Sequence, residues 1–388
     1  MSDDRVIVAG AGLAGLVAAT ALRHAGFPVT VLERTPVMGP VGAIIGITHA
    51  AATELENMGQ AELVKSACIP VQGISYFTWN GKPLTRMPIA EAARQAGTRT
   101  FITMRADIQL GLYEKLEPGV VQLGSEVSGF SEGDGRVTVQ LADGREEADA
   151  ALLGADGIHS AVRRQLLGDQ PRYTGYMAWR GVATLGEGNV PIAEGEAHQL
   201  MGRGRTCGAF GLSRGRMYWF VTSLQPPGGN DSPAGRKADV FEAFSGGPDY
   251  IRNAIEVTPE EDILRNDVFD RPRVASWGKG RVSIMGDAGH ATSPATGEGG
   301  SHAVLDAAGA TKALLSVRDR LDDTAAVEGA LKEYEAEAIE RTGAGVQRAA
   351  DMGDRLHAKN PVQALIRNIV FKRTSEETWL ERAKFYLS

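Results

Sequence analysis

Cysteine is almost absent from this chain, which has only Cys68 and Cys207. The two lie far apart and show no metal-ligand spacing. That excludes a disulfide scaffold and a cysteine metal site, and it predicts two buried thiols in a reducing compartment. No apolar run reaches the ~20 residues needed to cross a bilayer, so integral membrane association is not expected. Positive charge is in short supply too: 41 Lys and Arg stand against 48 Asp and Glu, a formal net charge of −7. The overall electrostatics therefore do not favour nucleic acid or an anionic membrane. The first residues, Met1-Ser2-Asp3-Asp4, are acidic and run straight into a strand, which is not a signal-peptide pattern. Together these features predict a cytoplasmic protein. There is no internal repeat, no low-complexity segment and no recognisable metal site.

What is present is a chain of 388 residues, 43% hydrophobic, with 48 glycines. That is enough for one large domain or two intimately joined ones. The glycines cluster at turns beside strands, where backbone must approach a ligand closely. Arg5 to Ala9 reads as a buried parallel strand, Leu13 to Ala25 as a helix stopped by Gly26, and Val29 to Glu33 as a second strand. Ile74 to Trp79 followed by Asn80-Gly81 reads as a hairpin. A helix starts near Arg105. Val120 to Val127, Arg136 to Leu141 and Ala148 to Leu153 read as strands. From Tyr173 to about Phe269 short alternating strands follow one another, at Met177 to Leu185, Ala197 to Met201, Thr206 to Leu212 and Met217 to Ser223. They predict an inserted antiparallel sheet. Arg281 to Met285 returns to a buried strand, and the chain is helical from Gly300, with a long amphipathic stretch from Val327 to His357.

Three motifs carry chemistry. The first is Gly10-x-Gly12-x-Ala14-Gly15 with Glu33, eighteen residues past Gly15. Its glycines admit a pyrophosphate to a helix N-terminus, and its acid accepts ribose hydroxyls. The second, Gly154-Ala155-Asp156-Gly157 with Arg163, is a tight polar turn after a buried strand. The third is Gly286-Asp287, continuing to Pro294-x-x-Gly297-Glu298-Gly299-Gly300. Asp287 is placed to bind a polyol, and the glycine run offers amides to an electron-rich ring edge.

In this order, over roughly residues 4 to 340, the motifs resemble the single-component FAD-dependent aromatic hydroxylases, the para-hydroxybenzoate hydroxylase-like flavoprotein monooxygenases. Pro40-Val41-Gly42-Ala43, Met104-Arg105-Ala106-Asp107, Tyr173-Thr174-Gly175-Tyr176 and Ala178-Trp179-Arg180-Gly181 look most like the salicylate- and urate-hydroxylase branch. The resemblance implies an α/β fold: a FAD-binding Rossmann-like domain (1–70, 100–172 and 272–325), an inserted, mostly antiparallel substrate sheet (71–99 and 173–271) and C-terminal helices (326–388). It implies FAD bound by Gly10, Gly12, Ala14, Gly15, Glu33, Arg34, Gly42, Arg105, Asp156, Gly286, Asp287, Pro294, Gly297, Gly299 and Gly300. NADPH or NADH is implied as a transient co-substrate, since no second dinucleotide fingerprint is visible. O2 would supply one oxygen atom to an aromatic small molecule through a flavin C4a-hydroperoxide. Arg216, His49 and Pro294 are the catalytic candidates, and Ala209, Gly211 and Trp179 the substrate contacts. The late loop carries Glu298 and Ser301 where the family usually has Gln and Asn.

Small residues around Gly208, Ala209 and Gly211 predict a substrate bulkier than salicylate and no histidine base on the sheet. Two other readings remain. A flavin-dependent halogenase would carry Trp-x-Trp-x-Ile-Pro, which is absent. A flavin-binding scaffold or sensor without turnover would show no substrate-stimulated NAD(P)H oxidation. A homodimer is open on sequence grounds.

Overall fold

The computed structural model describes residues 4–39 and 42–385. Val6–Ala9 is entirely buried and pairs in parallel with Val29–Glu33 on one side and Ala151–Gly154 on the other. Val121–Leu123 extends this sheet beyond Val29–Glu33, and Val282–Ile284 extends it beyond Ala151–Gly154. A short antiparallel edge, Gly278–Lys279, completes six strands. The two central strands, Val6–Ala9 and Ala151–Gly154, are unbroken apolar runs because both faces are covered. The helices Leu13–His24 and Gly299–Ser316 pack together against them, and the 33-residue helix Thr324–Leu356 lies over Gly299–Ser316.

The second large sheet has seven strands, in the order Leu264–Asp270, Arg172–Thr184, Arg216–Leu224, Arg205–Leu212, Glu196–Met201, Gly73–Thr78 and Pro83–Met87. All its pairings are antiparallel except that of Glu196–Met201 with Gly73–Thr78. The α/β architecture with an added, mostly antiparallel sheet and C-terminal helices is thus the one expected. Strand alternation gives this sheet two unlike faces. Met177, Trp179, Cys207, Ala209, Trp219 and Val221 are buried beneath the helices Arg236–Ala243 and Asp249–Val257. Tyr176, Ala178, Arg180, Thr206, Phe210, Tyr218, Phe220 and Thr222 face a cavity on the other side.

The structure corrects two local readings, and the strand expected from Ala148 to Leu153 is one of them: it is split between Glu146–Asp149 and Ala151–Gly154, which belong to different sheets. The strand expected from Val120 to Val127 is two strands, Val121–Leu123 and Val127–Gly133. Gly124, at φ 66°, turns the chain out of the first sheet between them. The glycine-rich segment after the second strand forms Ile44–Ile47, which pairs with Phe101–Met104 in a three-stranded sheet with Cys68–Pro70. Pro40 and Val41 of that segment lie outside the described residues.

Candidate active site

A cavity of about 910 Å³ runs from Glu33 and Arg34, past the first glycine turn and the late glycine loop, to the inner face of the seven-stranded sheet. Of the residues expected at the cofactor, Gly10, Gly12, Ala14, Glu33, Arg34, Arg105, Asp156, Asp287, Pro294, Gly297, Gly299 and Gly300 line it. Gly15, Gly42 and Gly286 do not.

The first turn is built by close approach. Gly10 sits at φ 98°, where a side chain is strained, and a Cβ on Gly15 would fall 1.9 Å from the Gly10 carbonyl oxygen. Gly15 therefore packs the turn rather than facing the cavity. Gly12 is the N-cap of the following helix and brings no side-chain cap, which leaves amides free for an anion. The Arg105 guanidinium comes within contact distance of the Cβ site of Gly12, and its Nε is buried without a partner. Glu33 accepts from the Ala11 N–H at 2.6 Å and from the Thr35 backbone and hydroxyl, which fixes the carboxylate at the strand end. Asp156 accepts from the Ala161 and Val162 amides through Oδ2, while its buried Oδ1 is unpartnered. Burial raises its pKa above the usual carboxylate range, against the hydrogen bonds from Ser160 and those amides. An uncapped helix start, an orphaned guanidinium Nε and an orphaned carboxylate oxygen are what a bound dinucleotide would satisfy, so these residues fit FAD.

The late loop is anchored by residues that no motif announces. Asp306 is fully buried on the helix Gly299–Ser316. It accepts from the Gly286 N–H at 2.8 Å, His290 Nε2 at 2.6 Å and Arg341 at 2.6 Å. Gly286 lies behind the cavity wall, where its Cβ would fall 2.7 Å from the Ala14 Cβ. Asp287, next along, is exposed to the cavity. Arg163 is likewise not a cavity residue: fully buried, it donates to the Ala288 and Gly289 carbonyls and pairs with Asp169, joining the second motif to the third. Both departures from the family pattern have partners here. Glu298 pairs with Arg348 at 2.9 Å. Ser301 accepts from the Thr48 N–H and donates to the Gly46 carbonyl, tying the loop to the strand Ile44–Ile47.

At the sheet, the expected substrate contacts do not face the cavity. Ala209 and Trp179 belong to the face under the helices, because side chains alternate and Phe210 and Arg180 take the inward positions. Gly211 is backed against the Ala193 carbonyl, and a Cβ there would fall 2.2 Å from that oxygen. Arg216 sits at its strand's end, outside the cavity, 3.5 Å from Asp107. Arg180 is the inward guanidinium; it donates to Asn266 and has a buried, unpartnered Nε. His49 starts the helix His49–Leu55 and does not line the cavity, although Thr48 does. Pro294 does.

The sheet wall is aromatic, with Tyr76, Tyr176, Phe210, Tyr218 and Phe220, and small between the rings, with Ala178 and Ala197. Gly208 makes room beneath the Phe220 ring, since a Cβ there would lie 2.2 Å from it. At the chamber's helical edge, His357 stacks on Tyr176 with ring centroids 4.3 Å apart. The Gly353 carbonyl can only accept, so His357 Nδ1 carries the proton, and Nε2 is 2.7 Å from the Thr222 hydroxyl. Burial, more than any neighbouring charge, lowers the His357 pKa and keeps the ring neutral. Both its nitrogens are engaged. Burial also pushes the Tyr218 hydroxyl up to about 12, with Arg180 pulling it back.

By sequence, the family described as FAD binding domain matches residues 3–349. The chain is 35% identical over 352 residues to the aurachin C monooxygenase/isomerase of Stigmatella aurantiaca, covering 90% of this chain and 89% of that protein. It is 29% identical over 359 residues to the FAD-dependent urate hydroxylase of Klebsiella pneumoniae subsp. pneumoniae, covering 92% and 91%. In three dimensions it is similar to the crystal structure of Klebsiella pneumoniae HpxO complexed with FAD and uric acid. The TM-score is 0.88 at 26% identity, covering 99% of this chain and 96% of that one.

Proposed function

The chain belongs to the FAD binding domain family and is a FAD-dependent monooxygenase, and from that premise we propose that it uses NAD(P)H and O2 to hydroxylate or epoxidise an aromatic or polycyclic small molecule. Bound FAD would supply the redox chemistry that couples nicotinamide oxidation to O2 activation. The residues of this chain bind and orient. Gly12 and Arg105 would hold the pyrophosphate, Glu33 the ribose, Asp287 the ribitol, and the amides of Gly297 to Gly300 the ring system.

The observation that carries the substrate reading is the chamber wall. Five aromatic rings with alanines between them offer a flat ligand stacking area and length, and exclude water. Among the described residues Arg180, with its spare Nε beside Tyr218, is the one inward cation on that wall, and it suits a phenolic or carbonyl oxygen on the substrate. His357 has no free nitrogen to act as a base, which favours a substrate that is already electron-rich.

The test is a panel of hydroxybenzoates and multi-ring aromatics, following NAD(P)H oxidation and product mass together. Coupled turnover of a multi-ring compound, with KM raised and kcat largely kept in Arg180→Gln, supports the reading. Efficient coupled hydroxylation of salicylate with poor turnover of every larger ring overturns it. Absence of any substrate-stimulated NAD(P)H oxidation would favour the scaffold instead.

A further inference from the structure

Among the described residues eight large hydrophobic side chains are exposed, and five of them lie on one helix, Pro361–Arg373. Val362, Leu365, Ile366, Ile369 and Val370 are 65%, 61%, 56%, 42% and 49% exposed. Their spacing of three, four, seven and eight residues places them on one face. Single exposed apolar residues need no explanation, but a continuous stripe does. The opposite face is spent. Phe371 meets Tyr76 edge-on at 5.0 Å, and Arg367 donates to the Leu356 carbonyl at 2.7 Å. Tyr76 and Leu356 line the cavity, so one layer of side chains separates this helix from the substrate chamber.

The charges around the stripe have one sign. The helix contains no carboxylate. Lys359 precedes it, and Lys372 and Arg373 end it, all three exposed. Among the described residues none of them is drawn into an ion pair, and the nearest carboxylates in sequence, Asp354 before and Glu376 and Glu377 after, belong to the neighbouring helices. In a chain of net charge −7 this is a local reversal.

We propose that the helix Pro361–Arg373 seats the enzyme on the surface of an anionic membrane. The apolar stripe would enter the headgroup–acyl boundary, with the basic side chains reaching lipid phosphates. A second copy of the chain fits less well. Thirteen residues at about 1.5 Å each make a helix about 20 Å long. Its single face offers a few hundred Å², against the roughly 800 Å² per partner of a standard interface. Two such stripes would also bring basic helix ends together. The proposal is independent of which substrate the enzyme takes.

Vesicle flotation of the holoenzyme tests it, with phosphatidylcholine alone and phosphatidylcholine mixed with phosphatidylglycerol. The wild type should float with the mixed vesicles. Each basic side chain near an anionic surface is worth about fivefold in partitioning, so Lys372→Gln/Arg373→Gln should bind the mixed vesicles roughly 25-fold more weakly. Leu365→Glu/Ile366→Glu should not float at all, while keeping wild-type flavin absorbance and solution turnover, since these side chains already face solvent. A wild type that floats with neither vesicle, or binding that the Leu365/Ile366 variant leaves unchanged, overturns the proposal. So does a wild-type dimer in analytical ultracentrifugation that this variant dissociates while the wild type ignores vesicles.

Discussion

Asp306→Asn should loosen the flavin loop before it unfolds the protein. The substitution keeps the volume and removes only the charge. In the native state burial pushes the Asp306 carboxyl upward, but the His290 charge and hydrogen bond, then Arg341 and the Gly286 N–H, outweigh burial and hold it below the usual range. Burial pulls His290 down, and the Asp306 charge and hydrogen bond outweigh it, so each partner favours the charged form of the other. Removing one partner of a buried ion pair strands the other, at a cost of about 3–5 kcal/mol. Unfolding entropy of about 2.1 cal/mol/K per residue over 388 residues is about 0.8 kcal/mol/K, so Tm should fall by about 4–6 °C. The amide nitrogen of the new asparagine would also face donors, and the Gly286 turn would lose its clamp. Flavin fluorescence and far-UV circular dichroism should be followed in one thermal scan. Flavin release should move down further than the loss of helix, because Asp287 sits on that turn. A variant with wild-type Tm and wild-type flavin retention would refute the reasoning.

If Asp287 holds the ribitol, Asp287→Ala removes a charged hydrogen bond worth about 1.5–3 kcal/mol, so FAD should bind roughly tenfold to hundredfold more weakly, by flavin titration of the apoprotein, with Tm of the apoprotein unchanged. Gly208→Ala should push the Phe220 ring off the strand into the chamber; turnover of the largest accepted substrate should drop more than that of the smallest, and equal losses would count against it. Burial, then the His290 charge, lowers the His302 pKa to about 3. The unfolded state therefore takes up a proton that the folded state refuses. Stability from this residue is intact above about pH 6.5 and is lost as pH falls toward about pH 3, by up to about 1.4 kcal/mol per unit. In urea unfolding, His302→Gln should flatten that acid limb, and an unchanged slope would remove His302 as its source.

Most of the residues expected at the cofactor line one cavity, and that half was legible in sequence because its residues travel in runs. Glycine spacing, the acid closing the second strand and the aspartates after buried strands each report a local turn. The substrate half was not, because it depends on which face of a strand a residue takes. Choosing Ala209 over Phe210 and Trp179 over Arg180 is a one-residue matter, yet it exchanges the chamber wall for the far core. Arg216 has the inward parity of Tyr218 and Phe220 but lies past the end of the chamber. Asp306 and Arg341 carry no motif at all. One signal was available: Asp306 is the only acid in Gly299–Ser316, an Ala- and Gly-rich helix whose neighbours are core residues. An isolated charge there implies a buried partner.

The helix Thr324–Leu356 is about 50 Å long at about 1.5 Å per residue. Along it, Arg341 reaches Asp306, Arg348 reaches Glu298, and the residue that ends it, His357, reaches Thr222 on the sheet. Two of these contacts hold the flavin loop and the third holds the substrate wall. One rigid rod thus acts as a ruler between them. The spacing between the late glycine loop and the sheet wall is thereby tied to helical rise as well as to the loops. A residue inserted between Arg348 and His357 would lengthen the ruler and rotate its far end, carrying Leu356 and His357 off the chamber wall while Asp306 and Glu298 keep their partners.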